Sequence, residues 1–108
     1  MSSKVLEIAS ESLDPKDKVS KSYPCRFEGK KGTLVLSNMR LLFIKEEGFL
    51  KKSYTTTLNL PYKEVNKIVV NRSNLEFTDM KDKVYVFVSD VSSSIVEKAL
   101  REPMKTPP

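Results

Sequence analysis

Histidine is absent from this 108-residue chain, and cysteine occurs once, as Cys25. The first absence removes Ser-His and Cys-His nucleophile pairs, the commonest general base, and every histidine-containing zinc site. The second removes Cys-only metal sites and any intrachain disulfide. An enzyme is therefore not expected, nor is a cofactor or a metal, and Cys25 reads as a core thiol on the first strand. Long apolar runs are lacking too: none reaches the roughly 20 residues that a membrane-spanning helix needs. The opening "MSSKVLEIASES" is too short and too polar for a secretory signal peptide, so a cytoplasmic location is the expectation.

What the chain does contain is ordinary for a folded domain. With 39% apolar and 31% charged residues, disorder is not the default reading, and the length fits one domain or a piece of a longer protein. The net charge of +5 biases the surface toward anionic partners, although a charge of that size also serves solubility alone. "GKKGT" lacks the spacing of a phosphate loop and the helix that should follow it. Nucleic acid is not an expected partner, because no aromatic platform is interleaved with the basic residues.

From Lys18 onward, short apolar segments alternate with turn signals at intervals of roughly ten residues, the spacing of an all-β sandwich or barrel. In "GTLVLSNMRLLFI" two apolar runs flank "SNMR". A two-residue turn at Asn38-Met39, with Asn38 in the left-handed region, would set Leu36 opposite Leu41 and Leu34 opposite Phe43. Those four residues share one face, the core face. The other face carries Val35, Leu42 and Ile44, so either the sheet curls over it, another element covers it, or a partner does.

"SYTTTLNLP" reads as an alternating strand with Tyr54, Thr56, Leu58 and Leu60 on one side. "NLEFTDM", "KDK" and "VYVFVS" read as a second hairpin, with Leu75, Phe77, Val84, Val86 and Val88 as its apolar set and Tyr85 and Phe87 facing the other way. The period then changes. "DVSSSIVEKALREP" sets Ile95, Val96, Ala99 and Leu100 at helical spacing, with Asp90 or a serine to cap it, Ser94 and Glu97 at capping-box spacing, and Pro103 to stop it. The layout is thus mainly β, about seven strands and one C-terminal helix. Residues 1–12 form a lead-in, helical or extended; 13–102 form the domain; 103–108 form a linker tail.

The ordered motifs resemble those of GRAM domains, members of the pleckstrin-homology (PH-like) superfold. Leu13, Pro15, Asp17, Val19, Tyr23 and Cys25 fill the places of an L-x-P-x-E-x-hydrophobic segment leading into Y-x-C, with Asp17 where the family often has glutamate. Gly32, Leu34, Leu36, Ser37 and Phe43 are similar to the family's hairpin, and Leu60, Pro61, Tyr62, Glu64, Val65 and Ile68 to its I-P-a-x-E-I-x-x-I strand end. The chain departs at Leu41 and Leu42, where an aromatic is common, and keeps only Tyr85 and Phe87 of the final strand's aromatics. The likeness runs from about Leu13 to Leu100, and GLUE, bacterial PH-like and transcription-factor PH-like domains share much of the pattern. It implies a curled antiparallel β-barrel capped by a C-terminal helix, and a binding module rather than a catalyst.

Two surfaces are candidate sites. Lys30, Lys31, Lys45, Lys51 and Lys52 should gather at one rim, with Phe49 and Leu50 placed mid-loop to enter a headgroup layer. Glu46 and Glu47 offset two of those charges, and lysines beside strands also protect edges from aggregation. Anionic phospholipid headgroups, met by a peripheral membrane protein, are the first expected partner. The second is a protein, taken by Val35, Leu42 and Ile44 or by a strand edge.

Overall fold

The computed structural model describes residues 3–48, 50–71, 74–89 and 95–99. A helix α1 (Ser3–Glu11) precedes seven strands: β1 (Val19–Phe27), β2 (Lys30–Ser37), β3 (Arg40–Glu47), β4 (Ser53–Pro61), β5 (Val65–Asn71), β6 (Asn74–Asp79) and β7 (Val84–Ser89). A single 3-10 turn, Tyr62–Glu64, links β4 to β5. All seven strands join one antiparallel sheet in the order β4-β3-β2-β1-β7-β6-β5. The ends β4 and β5 are not paired to each other, so the sheet is strongly curled and not closed. One apolar cluster nevertheless takes residues from all seven strands, including Leu60 of β4 and Val65 of β5. The expected mainly-β architecture is the observed one.

Residues 95–99 are helical, and Val96 is fully buried in that same cluster with Ala99 packed against it. Ile95 points to solvent. The expected caps at Asp90 and Ser94, the apolar Leu100 and the stop at Pro103 lie outside the described residues.

The β2–β3 register is the expected one, with Leu34 opposite Phe43, Leu36 opposite Leu41, and Gly32 opposite Lys45. Gly32 has a steric reason: a Cβ there would stand 2.6 Å from the end of the Phe43 ring and collide with the Ile44 carbonyl. The turn is held differently from the expectation, because Asn38 does not adopt a positive φ. Instead Asp17, reaching across from before β1, accepts hydrogen bonds from Ser37 Oγ (2.7 Å) and the Asn38 amide (2.9 Å). Ser37 Oγ in turn accepts from the Arg40 amide at 3.0 Å, and Tyr62 donates to the Ser37 carbonyl at 2.7 Å. Burial, and then the nearby Asp17 charge, push the Tyr62 phenol well above its ordinary pKa, so it stays a donor. Asp17 is therefore a clasp that fixes the hairpin.

Two face assignments are corrected. In β4 the pairing steps from Phe43–Leu58 to Ile44–Thr56, so Thr57 is an extra residue in a bulge. Leu58 and Leu60 pack into the main core, while Tyr54 joins a second cluster on the opposite face and Thr56 reaches Ser12 there. In β7, Tyr85 and Phe87 face inward across from Phe77 and Leu75, and the valines face out. Ring size decides this: Phe87 stacks on Phe27 at 4.7 Å and meets Phe77 edge-on at 5.5 Å, filling space that valines would leave empty.

Candidate functional site

The β1–β2 connection is a two-residue turn in which Glu28 (φ 54°) and Gly29 (φ 75°) are both left-handed, the conformation of a type I′ hairpin. It sets Phe27 against Lys30 and Arg26 against Lys31. The β3–β4 loop ends at the same rim, since Lys45 lies opposite Gly32, close to the Lys31 position. Gly48 lets that loop fold back at φ 102°, where any Cβ would collide with the Lys51 carbonyl. Leu50 at its tip is 94% exposed. Phe49 lies outside the described residues.

The rim lysines fall into two groups. Lys45 pairs with Glu47, and Lys52 pairs with Glu46 at 2.6 Å. The hydrogen bond from Lys52 lowers the Glu46 pKa, with a further contribution from Lys31; the bond from Lys45, with Lys30 beyond it, does the same for Glu47. Lys30, Lys31 and Lys51 are exposed and make no ion pair among the described residues. Two of the five lysines of the expected cationic cluster are thus paired with carboxylates, and three face solvent.

Strand order adds residues that sequence reading missed. Because β7 lies beside β1, Val84, Val86 and Val88 share a shallow groove of about 390 Å³ with Arg26, Glu28 and Gly29. The three valines are exposed, between 39% and 51%. The β6–β7 turn before Val84 brings Lys81 and Lys83 to this same end of the sheet. Lys83 sits 5.1 Å over the Tyr85 ring. Asp79 organises the turn by accepting from the Lys81 (2.8 Å) and Lys83 (3.0 Å) amides. Only the pairing of the first strand with the last one reveals this neighbourhood, and no local motif signals it.

Val35, Leu42 and Ile44 are not a free docking surface. All three are fully buried, together with Val5 and Ala9, and Ile8, Leu13, Val19 and Tyr54 complete the cluster. The cover is α1, whose Val5, Ile8 and Ala9 lie at i, i+3 and i+4 and so share one helix face. The lead-in is helical and forms a second layer over the sheet. The expectation that a partner covers these residues is withdrawn in favour of this intramolecular contact.

Among the described residues, no three metal-ligating side chains come together, and no helix is long and apolar enough to cross a membrane.

Taken with the curled sheet and the buried C-terminal helical segment, the fold is PH-like. The chain superposes on a DUF1696-family protein with a pleckstrin-homology domain from Shewanella loihica with a TM-score of 0.62. The match covers 94% of this chain and 95% of that one at 15% identity. The C-terminal domain of an unknown protein from Leishmania infantum superposes with a TM-score of 0.69 at 16% identity, over 95% of this chain and 94% of that one. No protein-family model and no curated protein matches the sequence. At these identities the likeness is one of fold.

Proposed function

We propose that this chain is a non-enzymatic binding module, of the GRAM kind within the PH-like fold, that docks on anionic phospholipid surfaces at the cytoplasmic face of a membrane. The observation that carries the reading is the grouping at one rim of the unpaired Lys30, Lys31 and Lys51 with an outward-pointing Leu50. Each lysine near an anionic leaflet contributes about 1 kcal/mol, so the three supply about 3 kcal/mol. Burial of Leu50 among acyl chains adds about 2 kcal/mol. The total of about 5 kcal/mol corresponds to a Kd of a few tenths of a millimolar. Such an affinity recruits a protein only as one of several contacts, which fits a module within a larger assembly.

Sedimentation with phosphatidylserine-containing vesicles at two salt concentrations tests the reading. Binding should weaken with salt and should fall at least about 30-fold in Lys30→Glu/Lys51→Glu, given about 1 kcal/mol per charge. Equal retention on neutral and anionic vesicles would overturn it.

A second reading, a protein-interaction module, is favoured by the exposed Val84, Val86 and Val88 beside Arg26. Its groove would take an apolar peptide edge with an acidic flank for Arg26. A phenotype or pull-down interaction lost in Val86→Asp but retained in the lysine variant would select it over the membrane reading.

A further inference from the structure

The sheet ends in two strand edges, and they are not alike. The outer edge of β4 is guarded: the Thr57 bulge breaks its period, Pro61 at its end has no amide hydrogen to offer, and Ser12 reaches over to Thr56. β5 carries none of these devices from Lys67 to Asn71. Its one irregularity falls between Val65 and Lys67, and Lys67 is its only charged residue. Among the described residues no strand pairs with its outer side.

Hydrogen-bond parity says which groups that edge presents. The Asp79 amide donates to the Lys83 carbonyl at 2.9 Å, so Asp79 turns its backbone groups toward β7, and Thr78, Glu76 and Asn74 turn theirs toward β5. Those three lie opposite Lys67, Val69 and Asn71, whose backbone groups β6 therefore engages. Ile68 and Val70 point the other way, each with an amide and a carbonyl at the open edge. Their side chains lie on the core face, opposite Phe77 and Leu75, yet both are only partly buried. Val69, on the outer face, is 37% exposed. A β-branched run with an open ladder and apolar flanks is a template for another strand.

The partner is singled out because β5 is its own complement. Turned end for end about Val69, the run Lys67–Asn71 sets Ile68 beside Val70 of a second copy, Val69 against Val69, and Lys67 against Asn71. In this register the edge-facing groups of Ile68 and Val70 in each copy all meet those of the other. A shift by one residue is forbidden by parity, and a shift by two sets Val70 against Asn66 or Ile68 against Arg72, apolar against polar. The two copies of Lys67 then stand about 13 Å apart along the ladder, beyond the Debye length of about 8 Å at physiological salt.

We propose that β5 is a self-pairing edge: two copies of this chain associate antiparallel through Lys67–Asn71, about a two-fold axis at Val69, and join their sheets into one. A strand pair this short buries less than the standard interface of roughly 1,600 Å², so the dimer forms and dissociates with concentration. The inference does not rest on the lysine rim, and salt separates the two. Rim binding weakens with salt, whereas pairing holds or strengthens, because screening removes the repulsion between two copies of net charge +5.

Two measurements on the full chain test it. Analytical ultracentrifugation over a concentration series reaching the millimolar range should show a monomer–dimer equilibrium at physiological salt. Val69→Lys sets two ammonium groups directly opposite each other and should raise the dimer dissociation constant at least about 10-fold, with the circular-dichroism signal of the folded chain retained. Under mild oxidation Val69→Cys should cross-link, since a non-hydrogen-bonded pair holds its Cα atoms about 4.5 Å apart, within disulfide reach. Lys67→Cys, about 13 Å from its counterpart, should not. The wild type, whose Cys25 is buried, should not either. A chain that stays monomeric across the series, as it would if the edge served a strand of another protein, would overturn the proposal. So would a dimer indifferent to Val69→Lys, or equal cross-linking at positions 67 and 69.

Discussion

Replacing Glu46 and Glu47 together by glutamine, Glu46→Gln/Glu47→Gln, should strengthen binding to anionic vesicles. In the native rim, Glu46 holds Lys52 and Glu47 holds Lys45, so two of the five lysines present no net charge. Removing both carboxylates changes the rim by two units. At about 1 kcal/mol per charge near an anionic leaflet this is about 2 kcal/mol, or about a 30-fold gain in affinity. A Kd of a few tenths of a millimolar would fall to around 10 µM, within easy reach of sedimentation or surface plasmon resonance on phosphatidylglycerol vesicles. The gain should shrink as salt shortens the Debye length below about 8 Å.

The same logic fixes a pH dependence. The lysine hydrogen bonds lower both glutamate pKa values in the folded chain, so the stability they contribute is present above the ordinary carboxylate pKa. It is lost as pH falls through the depressed folded values. Over that acid window the wild type should gain vesicle affinity as Lys45 and Lys52 are released, whereas the glutamine variant should stay flat. A variant that binds no better than wild type at neutral pH, or that gains equally on neutral lipid, would refute the electrostatic account of the rim.

Asp17→Ala should destabilise the fold, because it removes the acceptor of two hydrogen bonds and the buried carboxylate beside Arg40, which then keeps only the exposed Asp14 as a counter-charge. Breaking a buried charged contact costs about 3 kcal/mol, which thermal melting would read as a fall in Tm of 10 °C or more; a change under about 2 °C would remove the clasp from the account. In β7, Phe87→Ala should cost about 3–5 kcal/mol and Val86→Thr under about 1 kcal/mol. Comparable losses in chemical denaturation would contradict the assignment of faces.

The β2–β3 hairpin was legible because strict alternation and a short turn admit one register, and Leu34, Leu36, Leu41 and Phe43 lie where that register puts them. β7 was not legible in the same way. "VYVFV" is apolar at both parities, so alternation alone cannot choose a side, and the choice falls to which residues fill the space beside Phe27 and Phe77. The cover over Val35, Leu42 and Ile44 was half visible. Those residues demanded something apolar, and Val5, Ile8 and Ala9 carry helical spacing, but nothing local connects segments about thirty residues apart. The lysine rim was visible as composition. Its division into paired and free cations was not, because that depends on where the β3–β4 loop turns at Gly48.

Thr57 shows how a residue can matter for its place in the count and not for its side chain. It is exposed, and its hydroxyl makes no contact that the fold requires, yet it is the extra residue that lets β4 serve two clusters. Upstream of it Thr56 faces the α1 layer, and downstream Leu58 and Leu60 face the aromatic core. Exchanging Thr57 for another small polar residue leaves that arithmetic intact. Pairing the same residues without the bulge would put Tyr54, Thr56, Leu58 and Leu60 all on one face, exposing Leu58 and Leu60 or burying Thr56 among phenylalanines. Deleting Thr57 should instead leave both faces served, because Thr56 and Leu58 would then be neighbours and point to opposite sides of the sheet.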